Sequence, residues 1–270
     1  FSQAAVLRDR EFFRVQKLMQ NLSGVSLGPA KKSLVSGRLA RRLMHYGLSD
    51  YGAYLDRVEQ GNPPEELATF LDLLTTHETH FFREMAHFRF LLEQVLPHWR
   101  GRAIRAWSAA CSSGEEAYSL AMTLADGLGE GPWSILASDI SHRMLELTRD
   151  GVYSQSGAYH IPKAYLERYC LKGVRSQQGN ILVDPSLQAR LTLRAINLAA
   201  PLPDFPPVDL ILLRNVMIYF DLPTKQGVVR RLVNRLQPGG YLLVGHAESL
   251  YGLDQSLILC RPAVYRKNLE

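Results

Sequence analysis

From residue 103 onward, short apolar runs alternate with amphipathic segments, and this alternation limits the possible folds more than any other feature of the chain. AIRAWSAA, WSILASDI, LTLRAINL, VDLILLRNV and YLLVGHAES read as strands. EEAYSLAMTLADGL, SHRMLELTRDG and LPTKQGVVRRLVNRLQPGG read as helices, the last closed by Pro238 and the Gly pair. LILCRPAVYRK supplies a terminal strand. Strands separated by helices predict a mostly parallel sheet with helices on both faces. Residues 154–190 interrupt the pattern with polar, Gly-containing sequence, the mark of an insertion.

No strand is read before that point. Phe12, Val15, Leu18, Met19 and Leu22 recur at helical spacing, as do Leu39 and Leu43 in SLVSGRLARRLMHYG. YGAYLDRVEQ and EELATFLDLLT give two more helices, divided by the turn GNPP. Arg38, Arg41, Arg42 and His45 share a face of the second helix. Between Phe12 and Ser49 there is no Asp or Glu, whereas Arg14, Lys17, Lys31, Lys32, Arg38, Arg41 and Arg42 carry more positive charge than the net +5 of the chain. The block predicts an acidic partner: nucleic acid, anionic lipid or a carboxylate-rich protein surface.

Several classes are disfavoured. The longest apolar stretches, such as VDLILL, fall far short of the ~20 residues that span a bilayer. FSQAAVLRDREFF lacks the apolar core of a signal peptide. Cys111, Cys170 and Cys260 are odd in number and show no CxxC spacing, which argues for a reducing compartment and against a disulfide or zinc framework. A cytoplasmic protein is expected.

The segment LLTTHETHFFREMAHF crowds three histidines and two glutamates into a short space. His77-Glu78-Thr79-His80 lacks the HExxH spacing of a zincin. Glu84-x-x-His87 is half of a di-iron motif, and the chain has no second ExxH. No metal is expected. In AWSAACSSGEEAYS, a strand ends in small residues and turns into a helix whose first N–H groups lack partners. Gly114 alone does not make the G-x-G-x-x-G of a dinucleotide site. Glu115 and Glu116 would repel a pyrophosphate and welcome a cation, which tilts the reading toward S-adenosylmethionine, with its ammonium and sulfonium. A helix merely capped by acids against its dipole would show the same residues. Asp139 ends the next strand, 25 residues after Gly114, where a carboxylate can accept from ribose hydroxyls. Asn197, Arg214 and Asn215 are polar residues at strand ends, where open α/β sheets bind ligands, and Tyr219 follows.

TTHETHFFRE, WSAACSSGEEAYSLAM, ASDIS, INL, LLRNVMIYFD and LQPGGYLLVGHAES occur in order at spacings that closely resemble the chemotaxis receptor glutamate O-methyltransferases (CheR type). The resemblance runs over essentially the whole chain. It implies an α/β, Rossmann-like S-adenosylmethionine-dependent methyltransferase domain over residues 101–270, with a small antiparallel β-subdomain inserted at about 154–190. A small all-α domain over 1–75 and a linker or lid over 76–100 precede it. Carried over by motif, His77, Thr79 and Arg83 close over the cofactor, Glu115 rather than Glu116 contacts it, and Asp139 holds its ribose. Asn197 and Leu198 flank the adenine, and Arg214 and Asn215 line the methionine end. Arg83, Arg214 and Tyr219 are candidate catalytic, orienting residues. Family members commonly carry Asn where this chain has His77.

The implied reaction moves a methyl group to glutamate carboxylates of chemoreceptor cytoplasmic domains for chemotactic adaptation, leaving S-adenosylhomocysteine. Arg38, Arg41 and Arg42 then dock on the acidic receptor bundle, and the region Lys172–Gln188 resembles the part that captures a receptor's C-terminal tail in some members. The expected enzyme is monomeric, binds no nucleic acid and does not insert into membranes. The rival readings are a nucleic-acid methyltransferase, which the scarcity of aromatics among the basic residues disfavours, and a catalytically silent S-adenosylmethionine-binding module.

Overall fold

A computed structural model describes residues 5–269 of the chain, which divides into two compact units. One unit is the segment up to Thr76 together with Tyr219–Thr224; the other is His77–Ile218 with the chain from Lys225 onward.

The first unit is built from four helices: α1 (Asp9–Ser23), α2 (Lys32–His45), α3 (Tyr51–Glu59) and α4 (Glu65–Leu74). Each buries the stripe its spacing demands: Phe12, Val15 and Met19 from α1, Val35, Leu39 and Leu43 from α2, Tyr51, Tyr54, Leu55 and Val58 from α3, and Phe70 and Leu74 from α4. Gly24 ends α1 in the left-handed conformation, and the Asp50 carboxylate caps α3 by accepting from the Ala53 amide.

The second unit opens with His77–Met85 and a short helix, α5 (Ala86–Phe90), which continues as a π-helical segment (Leu91–Val95) and a 3-10 turn (Leu96–His98). Strands β1 (Ile104–Ser108) and β2 (Trp133–Asp139) follow, each leading into a helix, α6 (Glu115–Leu128) and α7 (His142–Asp150). Three short strands, β3 (Val152–Ser154), β4 (Cys170–Lys172) and β5 (Asn180–Val183), then form a separate antiparallel sheet in the order β3-β5-β4, with helices α8 (Lys163–Tyr169) and α9 (Pro185–Gln188) beside them in sequence. The chain rejoins the main sheet with β6 (Leu191–Ala195), β7 (Val208–Leu213), α10 (Leu222–Arg235), β8 (Leu236–Val244), β9 (Leu257–Arg261) and β10 (Val264–Lys267).

The main sheet is seven-stranded in the order β6-β2-β1-β7-β8-β10-β9. Its first five strands are parallel, and β10 runs antiparallel to both β8 and β9. This is the mostly parallel α/β sheet expected from the alternation and the Rossmann-like architecture that the resemblance implies. All six residues of β7 are buried, which explains the apolar run Leu210–Leu213; the buried Asp209 accepts from the Arg105 amide at 2.9 Å. Trp107 is buried in β1 and donates its indole N–H to Ser138 Oγ at 2.8 Å.

Two local expectations change. α10 ends at Arg235, and Leu236–Gly240, read from sequence as the helix's closing turn, belongs to β8, with Gly239 at φ +75° where the pairing to β7 shifts register. Lys267 makes the early stop possible: its ammonium donates to the Val233 and Leu236 carbonyls at 2.8 and 2.7 Å, satisfying acceptors the helix leaves open. The terminal run LILCRPAVYRK, read as one strand, is a two-strand hairpin turning at Ala263, which has φ +62°.

The order of strands reverses between β1 and β7. The carboxyl ends of β6, β2, β1, β7 and β8 therefore converge on a topological switch point, the place where sheets of this kind form a ligand crevice.

Candidate functional site

The loop from β1 to α6 is drawn tight by its neighbours. The Cys111 amide donates to the Ser138 carbonyl at 2.9 Å, and Ser112 takes φ +50°. Tyr153 Oη donates to the Ser113 carbonyl at 2.7 Å, and Thr148 Oγ1 to the Ser112 carbonyl at 3.2 Å. Gly114 sits under both side chains with φ +98°; a Cβ there would lie 2.7 Å from Tyr153 Oη and 2.8 Å from Thr148 Oγ1. Glycine is required at this one position on two counts, conformation and space.

Asp139 fixes the loop from the side. One carboxylate oxygen accepts from the Ser112 amide and the other from the Ser141 amide, each at 2.9 Å. Its own carbonyl accepts from the Ile196 amide, which brings the start of the Ile196-Asn197-Leu198 turn beside it. The Asn197 side chain accepts from the Ala199 amide, and the Leu198 carbonyl is held by Arg231. Ser112 Oγ reaches back to the His77 carbonyl at 2.9 Å, tying the start of the His77–Met85 segment to the same loop.

The two acids opening α6 differ in environment. Glu115 is half-buried and accepts from Ser113 Oγ at 2.7 Å. Glu116 is buried and accepts from Ser108 Oγ at 2.6 Å and from Arg214 Nη1 at 3.1 Å. Burial pushes the Glu116 carboxyl above the ordinary range, against the opposing pull of Arg214 and Ser108. Cys111 is also buried, and burial together with the nearby Asp139 and Glu116 holds its thiol well above the usual range; it is a packing residue and not a nucleophile.

Arg214, buried at the end of β7, is bracketed by acids. Nη2 lies 3.2 Å from Glu84 Oε2 and donates to the Arg83 carbonyl, and the guanidinium stands over the Phe88 ring. Glu84 takes φ +55° and also accepts from the His246 amide at 3.0 Å and from Asn215 Nδ2 at 3.4 Å. Burial alone would raise the Glu84 carboxyl, but the His246 amide and Arg214 hold it below the usual carboxylate range. A second carboxylate, Glu248, accepts from the amides of Asn215 and Met217, each at 2.8 Å, and of Gly245 at 2.7 Å. A Cβ on Gly245 would lie 2.6 Å from Asn215 Nδ2.

Most of the residues read from sequence thus fall at the strand ends of the second unit. His77, Glu115, Asp139, Asn197, Leu198, Arg214 and Asn215 are joined by the contacts above, and the Arg83 side chain donates to the Glu78 carbonyl. Thr79 is half-buried in the same His77–Met85 segment. Sequence reading missed Glu84, Glu116 and Glu248 as the carboxylates that hold these loops. Only Glu116 carried a local signal, its place one residue into α6.

Two of the candidate residues have protein partners of their own. Arg214, read as an orienting group for the reacting atoms, is sealed by Glu84, Glu116 and Phe88, so its side chain acts on the protein's own loops. Tyr219 groups with the helical unit, where its carbonyl accepts from the Ser26 amide at 2.8 Å.

The basic block divides as well. Arg42 is spent on Glu66, to which it donates through Nε and Nη2, and Glu66 accepts in addition from Tyr46 and Tyr54. Arg38 donates to the Leu73 and Thr75 carbonyls, both at 3.0 Å, closing the end of α4. Arg41 stands exposed with no ion pair among the described residues. Of the three arginines read for docking, Arg41 is the one without such a partner among the described residues.

The potential donor atoms of Glu84, His87 and His246 lie within 4.8 Å of one another. The Glu84 carboxylate already accepts from three donors, one of them a guanidinium standing where a cation's field would be felt most. A metal ion would have to displace that pairing.

A family model described as the CheR methyltransferase SAM-binding domain matches residues 77–265, and one described as the CheR methyltransferase all-alpha domain matches residues 10–75. The chain is 39% identical over 262 residues to the chemotaxis protein methyltransferase of Escherichia coli, covering 96% of this chain and 91% of the relative. It is 39% identical over 267 residues to that of Salmonella typhimurium, with 98% and 92% covered. Against that of Borreliella burgdorferi it is 34% identical over 270 residues, with 96% and 94% covered.

Proposed function

The chain belongs to the CheR methyltransferase family, and on that premise we propose that it transfers methyl groups from S-adenosylmethionine to glutamate side-chain carboxylates of chemoreceptor cytoplasmic domains. The observation that carries the cofactor side of this reading is the charge balance of the crevice. Arg214 pairs with both Glu84 and Glu116, so two acids meet one guanidinium inside the protein, and Glu115 and Asp139 add two more acidic side chains along the β1 and β2 ends. A cationic nucleoside fits that set; a pyrophosphate does not.

The residues divide the cofactor among them. Asp139 is fixed by two amides before any ligand arrives, which suits it to receive a pair of ribose hydroxyls. Asn197 and Leu198 lie beside it for the adenine, and Glu115 faces the ammonium. His77, Thr79 and Arg83 belong to the lid, and Asn215 to the methionine end. When bound, S-adenosylmethionine supplies an electrophilic methyl group on a sulfonium. The chain need move no proton, because a glutamate with a pKa of about 4.3 is already ionised at pH 7. The site's work is alignment and exclusion of water. Holding two reactants in line can supply about 7–11 kcal/mol, and a dry pocket favours the neutralising transition state over separated charges.

Arg41 is the charge best placed to meet an acidic receptor surface, and the open edges of the β3-β5-β4 sheet suit capture of an extended tail peptide. A monomeric enzyme suffices for both. No helix among the described residues is long and apolar enough to cross a membrane.

Methyl-labelled cofactor incubated with purified receptor cytoplasmic fragments, with and without their tails, tests the proposal. The expected product is receptor-bound label released as methanol by mild alkali, as a carboxyl ester requires. Alkali-stable label, or label on RNA and none on receptor, would overturn it.

A further inference from the structure

The three carboxylates around the strand ends are not equivalent. Glu248 accepts only backbone amides from the loops after β7 and β8. Glu116 joins α6 and β1 to Arg214. Glu84 alone spans the lid segment and both loops. It receives the Arg214 guanidinium and the Asn215 side-chain amide from the loop after β7, and the His246 amide from the loop after β8. Its residue separations from these partners are 130, 131 and 162, so a single side chain gathers parts of the chain that are remote in sequence.

The backbone around it is arranged for that purpose. Phe82 and Glu84 both take positive φ, +51° and +55°, a conformation that non-glycine residues adopt at a cost and keep only where the surroundings enforce it. The Phe82 amide is pinned by Ser119 Oγ at 2.8 Å, and the Arg83 carbonyl by Arg214. Two left-handed residues flanking Arg83 set the direction in which that side chain leaves the lid. The surroundings also select the carboxylate's charge state. His87 is buried beside Glu84, with Nδ1 3.5 Å from Oε2, and neither ring nitrogen has a hydrogen-bond partner among the described residues. His246 packs edge-on against it at 5.0 Å. A neutral imidazole there leaves Arg214 as the cation that answers Glu84.

We propose that Glu84 is a positioning residue for methyl transfer: its carboxylate holds Asn215 and Arg214, and through Arg214 the Arg83 carbonyl, so that Arg83 and Asn215 are set to grip the methionine end of the cofactor. The inference rests on reading this crevice as the S-adenosylmethionine site. Glu84 touches neither reactant and acts through the residues it holds. In Glu84→Gln the shape and the acceptor oxygen remain, but the charge is lost and an NH2 group comes to face a guanidinium, so Arg214 is left to Glu116 alone.

Calorimetric titration with S-adenosylmethionine, steady-state kinetics on a receptor fragment and amide NMR spectra of the full chain test this. Glu84→Gln should raise the cofactor Kd at least tenfold and lower kcat, with KM for the receptor fragment within twofold of the parent. The His246 amide and the Asn215 side-chain resonances should shift, while those of α1–α4 stay in place. Leu120→Ala, a cavity in α6 away from this carboxylate, controls for lost stability; assayed well below its Tm it should bind cofactor normally. A Glu84→Gln protein that binds and turns over like the parent would overturn the proposal. Stoichiometric Co2+ binding with visible absorption that disappears in His87→Gln would also overturn it, by making Glu84 a metal ligand. If the parent itself fails to bind S-adenosylmethionine, the crevice reading falls with it, an outcome distinct from either.

Discussion

Replacing Gly114 with alanine tests the geometry of the β1–α6 loop most directly. The residue has φ +98°, where an L side chain costs about 1–2 kcal/mol. The new methyl would sit 2.7 Å from Tyr153 Oη and 2.8 Å from Thr148 Oγ1 and Cγ2, against the ordinary contact distance of about 3.5 Å. Neither neighbour can swing away without loss, because each holds a loop carbonyl, Tyr153 at Ser113 and Thr148 at Ser112. Overpacking of this kind costs about 1–3 kcal/mol. The sum is about 2–5 kcal/mol, a large part of the roughly 5–15 kcal/mol that holds a domain together. All three tryptophans, Trp99, Trp107 and Trp133, lie in the second unit, so urea unfolding followed by tryptophan fluorescence reports on that unit. A calorimetric titration with S-adenosylmethionine on the same sample measures the crevice. The expected result is a midpoint lowered in proportion to that energy and a weakened Kd. A loss below about 1 kcal/mol with unchanged cofactor affinity would refute the argument.

Other consequences can be checked with the same preparations. Burial, aided by Arg214, lowers the His87 pKa to about 4 from an unfolded value near 6.5. Below pH 6.5 the unfolded chain therefore binds a proton that the folded chain refuses, and about 3 kcal/mol of stability is lost between pH 6.5 and 4. His87→Gln should flatten that part of the acid slope in urea midpoints; an identical slope would refute the assignment. Glu66→Ala strands Arg42, Tyr46 and Tyr54 and should cost the helical unit about 3 kcal/mol, since Arg42 retains some contact with water. Far-UV circular dichroism should show its melting several degrees lower, and an unchanged Tm would contradict the structure. Arg41→Glu should slow receptor methylation at low salt without altering cofactor affinity, the difference shrinking as salt is added. Equal rates at low ionic strength would remove Arg41 from the docking surface.

Some of this site could be read from the chain alone because the signals are local. The small residues from Ala109 to Gly114 mark a tight strand-to-helix turn, and Asp139, Asn197 and Asn215 announce themselves as polar groups at the ends of apolar strands. Periodicity likewise gave the four helices and the parallel sheet, since each element buries a face that its own neighbours in sequence define. Charge counting was less informative. It saw seven cations in the basic block, but could not see that Glu66 consumes Arg42 or that two carbonyls hold Arg38.

What this sequence determined by itself is therefore the set of elements, their order and the residues placed at strand ends. The partners of those residues were settled by tertiary structure alone. A parallel sheet lays the ends of β1, β7 and β8 side by side although more than 130 residues separate the first from the last. Glu84 meets Arg214 and His246 only when that sheet has closed. No short-range pattern encodes such a meeting, because its energy comes from ion pairing and desolvation across the fold and not from the preferences of adjacent residues.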